Sequence, residues 1–545
     1  MSLKSYLEFI NGKTSCEVEL RRLLNAFNES EKWALDVVDS WGDPSKALQN
    51  SRSFDFGRFV DCTGFQNDSF SGKYCVAKFS PMRIKAKNDD SHQIWRLLSN
   101  LKSEFKSGLC IPSVCNEKEL KDIGQSLTDN HSVELNFVKC YEPFTFKMLD
   151  YVLIFILLTV IFIVIFCTIG SEIINCIDAI KVLSAIWIII GHRNDMIAQL
   201  FGYKTEQKTL WSSAMNNMIL SYFNCVDTFL TCSAILVTQS FLKLFDSGKF
   251  RLLQVLILRY LRYLPILGIL LMFSASSLPQ FFASGPLFFI IRQRRIKCSQ
   301  TWWSTLLFIQ NFVHVNDSCM NYAWYLAVDL QLFLLATVFT YLLWLFGKKF
   351  LRIIFLVICS LQFCTFIKLQ NKTMHPIKWY KQPQYRLAEY LVGIMFGYLM
   401  YTKNKKKLNL GKSITSACWM LSLGFLGTHI FTRSLLTYNG LFKSFIESVH
   451  LEIWTCSISW IIFACHVLKS GNILRKFLSH SFWQPLSKIC LSVYLAHFKY
   501  LEITHLNQKE FNVQTLWQKI SIFTTDVVIS FILGLILFIE NITKV

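Results

Sequence analysis

The sequence predicts an all-α polytopic membrane protein of about 10–11 transmembrane helices, led by an N-terminal, disulfide-containing, mostly helical extracytoplasmic domain. Three observations predict it. Hydrophobic residues make up 52% of the 545-residue chain, mean hydropathy is +0.36, and the apolar residues come in blocks rather than evenly spread. Residues 151–169 run without a single charge, long enough to cross a hydrocarbon core about 30 Å thick. Residues 1–148, by contrast, are mixed and polar, and they carry their own set of cysteines.

That leading segment contains amphipathic stretches over 19–27 and 92–105. Its cysteines, Cys16, Cys62, Cys75, Cys110, Cys115 and Cys140, are even in number. In an oxidising compartment they can form three disulfides, and about fifteen pairings stay open. Free thiols in a cytosolic domain are the other reading. No CxxC pair occurs there, so zinc is not expected, and no metal site is predicted elsewhere. Residues 1–20 hold no apolar run of signal-peptide length, so the sequence as written predicts export by another route or a start lying upstream.

Residues 149–170 read as a connecting transmembrane helix and 171–545 as a multi-helix membrane domain. Further apolar helices are predicted near 177–197, 218–242, 253–275, 323–346, 350–369, 386–401, 412–432, 449–468, 486–503 and 520–540. The formal charge of +20 sits mostly in short loops between these blocks, which disfavours a nucleic-acid partner. Basic loops over 243–251, 347–352, 403–412 and 469–476 place themselves in the cytoplasm, with Lys403, Lys405, Lys406 and Lys407 the densest run. The N-terminal domain is then extracellular or luminal, in a plasma membrane or an endomembrane, although Arg292, Arg294, Arg295 and Lys297 run against that polarity. Glycosylation triplets at Asn28, Asn67, Asn130, Asn316 and Asn371 fall on the external side in this scheme, and Asn541 on the other. Cys298 and Cys319 share one external loop and are expected to pair.

Ionisable groups inside apolar helices are costly and so mark candidate chemistry. His192 lies near the external end of its span, where a neutral imidazole can take a proton from a hydroxyl or amine; a hydrogen bond between helices is the alternative role. Asp227 requires a partner at its depth, either His192 or an arginine. Arg259 and Arg262, three apart, share a helix face at the cytoplasmic mouth, where guanidinium groups bind phosphates or simply snorkel. Trp324, Tyr325, Asp329 and Gln331 line up as substrate-pocket candidates; an aromatic belt accounts for the first two but not for the acid.

Gly108-Leu-Cys110-Ile-Pro-Ser-Val-Cys115 resembles the cysteine motif of the nose-resistant-to-fluoxetine N-terminal domain. The chain beyond residue 170 is similar to the acyltransferase 3 domain in a series of short segments: Val182-Leu-Ser through Gly191-His192, Val226-Asp227-Thr-Phe, Arg259-Tyr-Leu-Arg262, Gly285-Pro-Leu, Trp302-Trp303, Asn311-Phe, Trp324 to Gln331, Tyr390-Leu-Val-Gly393, Pro485-Leu-Ser487 and Tyr494-Leu-Ala-His497. The collinear order spans nearly the whole chain. The resemblance implies transfer of an acyl group from a donor such as acyl-CoA, a co-substrate rather than a bound cofactor, to a hydroxyl or amine of a small molecule or lipid. It implies His192 and Asp227 as catalytic residues and Arg259 with Arg262 as the donor grip, with membrane lipids as surroundings. Departures from the family pattern are Cys232-Ser233-Ala234 in place of Leu-Ser-Gly, Tyr322-Ala323 in place of His-Thr, and Arg193 directly after His192. They leave room for a non-catalytic transporter or lipid- and xenobiotic-handling protein on the same fold.

Overall fold

The computed structural model describes residues 14–43, 54–67, 70–81, 105–128, 133–141, 175–201, 213–283, 285–371, 380–404, 411–432, 441–468, 472–508 and 516–542. The connecting helix expected at 149–170 and most of the amphipathic stretch at 92–105 lie outside the described residues.

In the N-terminal domain, α1 (Ser15–Asn28) starts at Thr14, whose hydroxyl accepts the amide N–H of Glu17 at 3.2 Å. It buries Cys16, Leu20, Leu23 and Leu24, spaced at helical period along one face. Then come α2 (Lys32–Asp39), β1 (Phe54–Asp55), α3 (Phe59–Thr63), β2 (Gln66–Asn67), β3 (Phe70–Pro81), β4 (Phe105–Pro112), α4 (Glu117–Thr128) and β5 (Val133–Cys140). The expectation of a mostly helical domain is incomplete. Its centre is a five-stranded sheet ordered β1-β4-β3-β2, with β5 also paired to β3. Tyr74, Cys75, Val76 and Ala77 are all buried, so β3 is covered on both faces and shows no polar–apolar alternation for sequence reading to detect. The cysteines settle as Cys16–Cys115, Cys62–Cys110 and Cys75–Cys140. The last bridge joins residues directly opposite in the β3–β5 register.

Beyond residue 170 each of the ten expected stretches is helical, with ends moved by a few residues. The elements are α5 (Asn175–Phe201), α6 (Ser213–Leu220), α7 (Asn224–Asp246), α8 (Leu252–Ala275), α9 (Leu278–Phe282), α10 (Phe288–Leu306), α11 (Gln310–Val313), α12 (Trp324–Phe346), α13 (Lys348–Gln370), α14 (Leu387–Asn404), α15 (Lys412–Thr432), α16 (Leu441–Phe463), α17 (Asn472–Leu478), α18 (Trp483–Leu506) and α19 (Leu516–Ile542). Six helical stretches among the described residues are long and apolar enough to cross a membrane: Asn217–Asp246, Leu252–Ala275, Asn321–Phe346, Lys348–Gln370, Ser444–Leu468 and Trp517–Phe538. The chain is an integral membrane protein. The long connection between α8 and α12, read from sequence as loop, contains the 19-residue α10, and Cys298 on it is bonded to Cys319 as expected.

α7 and α14 cross at Gly393 and Gly397. A Cβ at Gly393 would meet the Cβ of Ala234 at 2.6 Å and the carbonyl of Thr231 at 3.0 Å. The alanine that stands where the family pattern has glycine is thus accommodated by a glycine on the partner helix. At one end of the bundle the N-terminal domain is seated on it. Phe54, Phe56, Phe59 and Tyr74 share an apolar cluster with Leu287, Phe288, Phe289 and Leu506. Tyr141 meets Phe288 edge to face at 5.4 Å, and Arg292 lies 3.8 Å from Glu117.

Candidate active site

The site begins with a cavity of about 830 Å³ opening at the end of the bundle remote from the N-terminal domain. Its rim is net basic: Lys181 of α5, Lys243 of α7, Arg262 of α8 and Lys488 of α18 line it with one carboxylate, Asp178 of α5, and with His466, which lies in a π-helical turn directly after α16. A single π turn displaces the side chains around it from the regular helical track. Further in, Arg259 donates to Ser233 Oγ at 2.8 Å and to Asp329, and its guanidinium lies over the ring of Phe333 at 4.1 Å. Tyr263 donates to the same Asp329 oxygen at 2.7 Å. The cavity ends at Phe229, Tyr325 and Tyr494. From Lys243 to Phe229 is fourteen residues of α7, about 21 Å of helix.

Tyr494 leads on to an imidazole pair. Its ring is 5.7 Å from that of His497, which in turn is 5.4 Å from that of His192. Tyr222 and Phe498 pack edge-on against His192 at 5.1 and 5.2 Å. Gly191 lets Tyr222 approach this closely, since a Cβ there would meet the Tyr222 ring at 2.1 Å.

The structure brings some predicted residues together and separates others. Arg259 and Arg262 do share the cavity wall, as their spacing required, but Arg259 is already paired with Asp329, which leaves the rim charge to Arg262 and the lysines. Tyr325 and Asp329, four apart on α12, both line the cavity, whereas Trp324 and Gln331 turn elsewhere. Trp324 packs on Tyr380 at 4.7 Å. Gln331 exchanges hydrogen bonds with Asn311 at 2.9 and 3.0 Å and donates to the Phe308 carbonyl at 2.8 Å, tying α12 to the segment after α10. Asp227 finds its partner in Arg386, at 2.8 Å, both side chains no more than 2% exposed. Of the two partners the sequence offered, the arginine is the one used, and the neighbours of His192 are rings.

Arg193 is also accounted for. It makes a two-pronged pair with Asp526 of α19 at 2.6 and 2.7 Å and donates to Thr504 at 2.7 Å. Its charge is therefore compensated rather than imposed on His192. Tyr322, where the family pattern has histidine, donates to the Leu495 carbonyl at 3.0 Å while Tyr494 donates to the Tyr322 carbonyl at 2.7 Å.

Sequence reading missed Lys181, Tyr263, Arg386, Tyr494 and His497 as site residues. The criterion that selected His192, an ionisable group inside an apolar helix, also fits His497.

The match to known families accords with this arrangement. Residues 16–124 match the family described as "Nose resistant-to-fluoxetine protein, N-terminal domain", and residues 174–539, more than half of the chain, match that described as "Acyltransferase domain". The chain belongs to the acyltransferase 3 family. It is similar to Nose resistant to fluoxetine protein 6 of Caenorhabditis elegans, 21% identical over 90% of this chain and 74% of that protein. It also resembles Regulator of hypoxia-inducible factor 1 of Caenorhabditis elegans, 24% identical over 42% of this chain and 51% of that one, about half its length. No solved structure matches. In this family member the cationic cavity and the imidazole pair occupy adjacent depths of one bundle.

Proposed function

We propose that this protein is a membrane acyltransferase that takes an acyl group from a phosphate-bearing thioester such as acyl-CoA and passes it to a hydroxyl or amine, of a small molecule or a lipid. One observation carries the reading: the cavity is basic at its mouth, passes the paired Arg259 and Asp329 between apolar and aromatic walls, and ends one aromatic ring short of His497 and His192. Such a chamber suits a donor whose phosphates stay at the rim while its acyl chain reaches inward. Arg262 and Lys181 would hold the phosphates, Arg259 with Asp329 would shape the passage, and His192, with the rings around it, would position the acceptor at the inner end. Asp227 supports the site through Arg386.

We infer that the N-terminal domain faces the extracellular or luminal side. Its three disulfides suit an oxidising compartment, and the cationic rim at the opposite end agrees with the positive-inside tendency.

A single-turnover assay on the full chain in lipid nanodiscs, with a panel of labelled acyl-CoA donors, tests the reading. Label should leave the thioester and free thiol should appear, with His192→Ala abolishing both. Saturable binding of acyl-CoA with no thiol release from any donor would sink the enzyme and favour a carrier on the acyltransferase fold.

A further inference from the structure

The geometry points to His497, rather than His192, as the group that receives the acceptor's proton. This rests on the acyl-transfer reading above. His497 is fully buried on α18. Its Nδ1 lies 3.2 Å from the carbonyl oxygen of Val493, one turn back on the same helix. A carbonyl only accepts, so Nδ1 carries the hydrogen and donates it. In a neutral ring that leaves Nε2 bare, a lone-pair acceptor, and Nε2 is buried without any hydrogen-bond partner. An acceptor nitrogen held in one tautomer and shut away from water with nothing to bind is costly unless something arrives to use it.

Titratable rings face it from three elements: His192 of α5 at 5.4 Å, Tyr322 ahead of α12 at 6.2 Å, and Tyr494 of its own helix at 5.7 Å. The hydroxyls of both tyrosines are already donated to backbone carbonyls, so neither supplies the missing hydrogen. His192, by contrast, makes ring contacts but no hydrogen bond among the described residues, so its tautomer is free to adapt to the ligand. One imidazole is locked as a base and its neighbour is adaptable. The ligand that fits is an O–H or N–H group presented between them, next to the cavity end at Tyr494.

In the resulting step the acceptor oxygen or nitrogen bonds to the thioester carbonyl carbon as its O–H or N–H bond breaks, and the proton goes to Nε2 of His497. His192 orients the attacking atom. Collapse of the tetrahedral intermediate breaks the C–S bond, the electron pair leaves on sulfur, and the thiolate takes the proton back from Nε2. The products are an ester or amide and a free thiol, and the histidine is restored.

His497→Asn tests this, because an asparagine amide can keep the donation to Val493 while removing the acceptor at the Nε2 position. Full-length protein in nanodiscs is given acyl-CoA with either water or hydroxylamine as the attacking group; thiol release and acyl hydroxamate are measured. Water needs a base and hydroxylamine scarcely does. His497→Asn should slow hydrolysis about 100-fold or more with donor KM changed less than about twofold, while hydroxylaminolysis falls less than about tenfold. Equal losses with both nucleophiles would mean a structural residue, and no loss would mean a bystander; either overturns the assignment while acyl transfer stands. Wild-type protein that turns over no donor with either nucleophile would overturn both.

Discussion

The buried pair of Asp227 and Arg386 allows the structural and catalytic roles of the acid to be separated by measurement. At 2.8 Å and an effective dielectric near 20, the gross attraction is about 6 kcal/mol. Desolvation of both groups consumes much of it, and the residue left behind by a single substitution carries the remainder as a penalty. Arg386 has further reasons to stay charged and fixed: it lies over the Tyr380 ring at 4.9 Å and 3.6 Å from Glu389. Asp227→Leu alone, or Arg386→Met alone, should therefore cost about 3–5 kcal/mol, while the double variant should recover most of that loss. The assay is thermal unfolding of the four proteins in one detergent, and then thiol release from acyl-CoA. If Asp227 acts by holding α7 against the segment that leads into α14, the double variant regains activity with stability. Stability regained with activity still absent would refute that reasoning and return Asp227 to the chemistry. A coupling below about 1 kcal/mol would refute the ion pair itself.

Arg262→Ala should raise donor KM about 10- to 100-fold with the fold intact, the usual loss of a charged phosphate contact, checked by steady-state kinetics and circular dichroism. Cys75→Ser with Cys140→Ser opens a loop closed over 65 residues, which should cost about 4 kcal/mol in the N-terminal domain; protease susceptibility of residues 16–124 reads it. Glu117 is partly buried, which alone would raise its carboxyl, but hydrogen bonds from Lys139 and the Cys140 amide, with Lys139 and Arg292 as nearby cations, hold it below the usual carboxylate range. A depressed folded pKa contributes stability above the unfolded value and loses it as pH falls through the folded one. The thermal midpoint gap between wild type and Glu117→Gln should therefore be full at pH 7 and shrink below about pH 4.3; a gap that widens on acidification would contradict the assignment.

How much of this was legible in the sequence depended on whether a residue's partner was local. The helices were readable because twenty apolar residues in a row have only one solvent, and the cavity wall of Arg259 and Arg262 was readable because three residues apart on a helix is one face. The sheet was hidden, because β3 is buried on both sides and its apolar run carries no period of two. Partners far along the chain were hidden as well. Arg193 meets Asp526 across 333 residues and Asp227 meets Arg386 across 159, distances at which spacing carries no information.

That pattern bears on which intramembrane charges do chemistry. Every ionisable residue in an apolar helix was a candidate on cost alone. The described structure answers the cost for Arg193, Asp227, Arg259, Asp329 and Arg386 by placing each in an ion pair, and a charge held in such a pair is poorly placed to trade protons with a substrate. His497 is different in kind, since the ring nitrogen left free by its tautomer is buried and without a hydrogen bond beside the cavity end. Arg262 and Lys181 differ again, because they face the cavity. Reactive candidates are thus better chosen by what the fold leaves unsatisfied than by what the sequence makes expensive, and by that measure the acceptor end of the site centres on α18 as much as on α5.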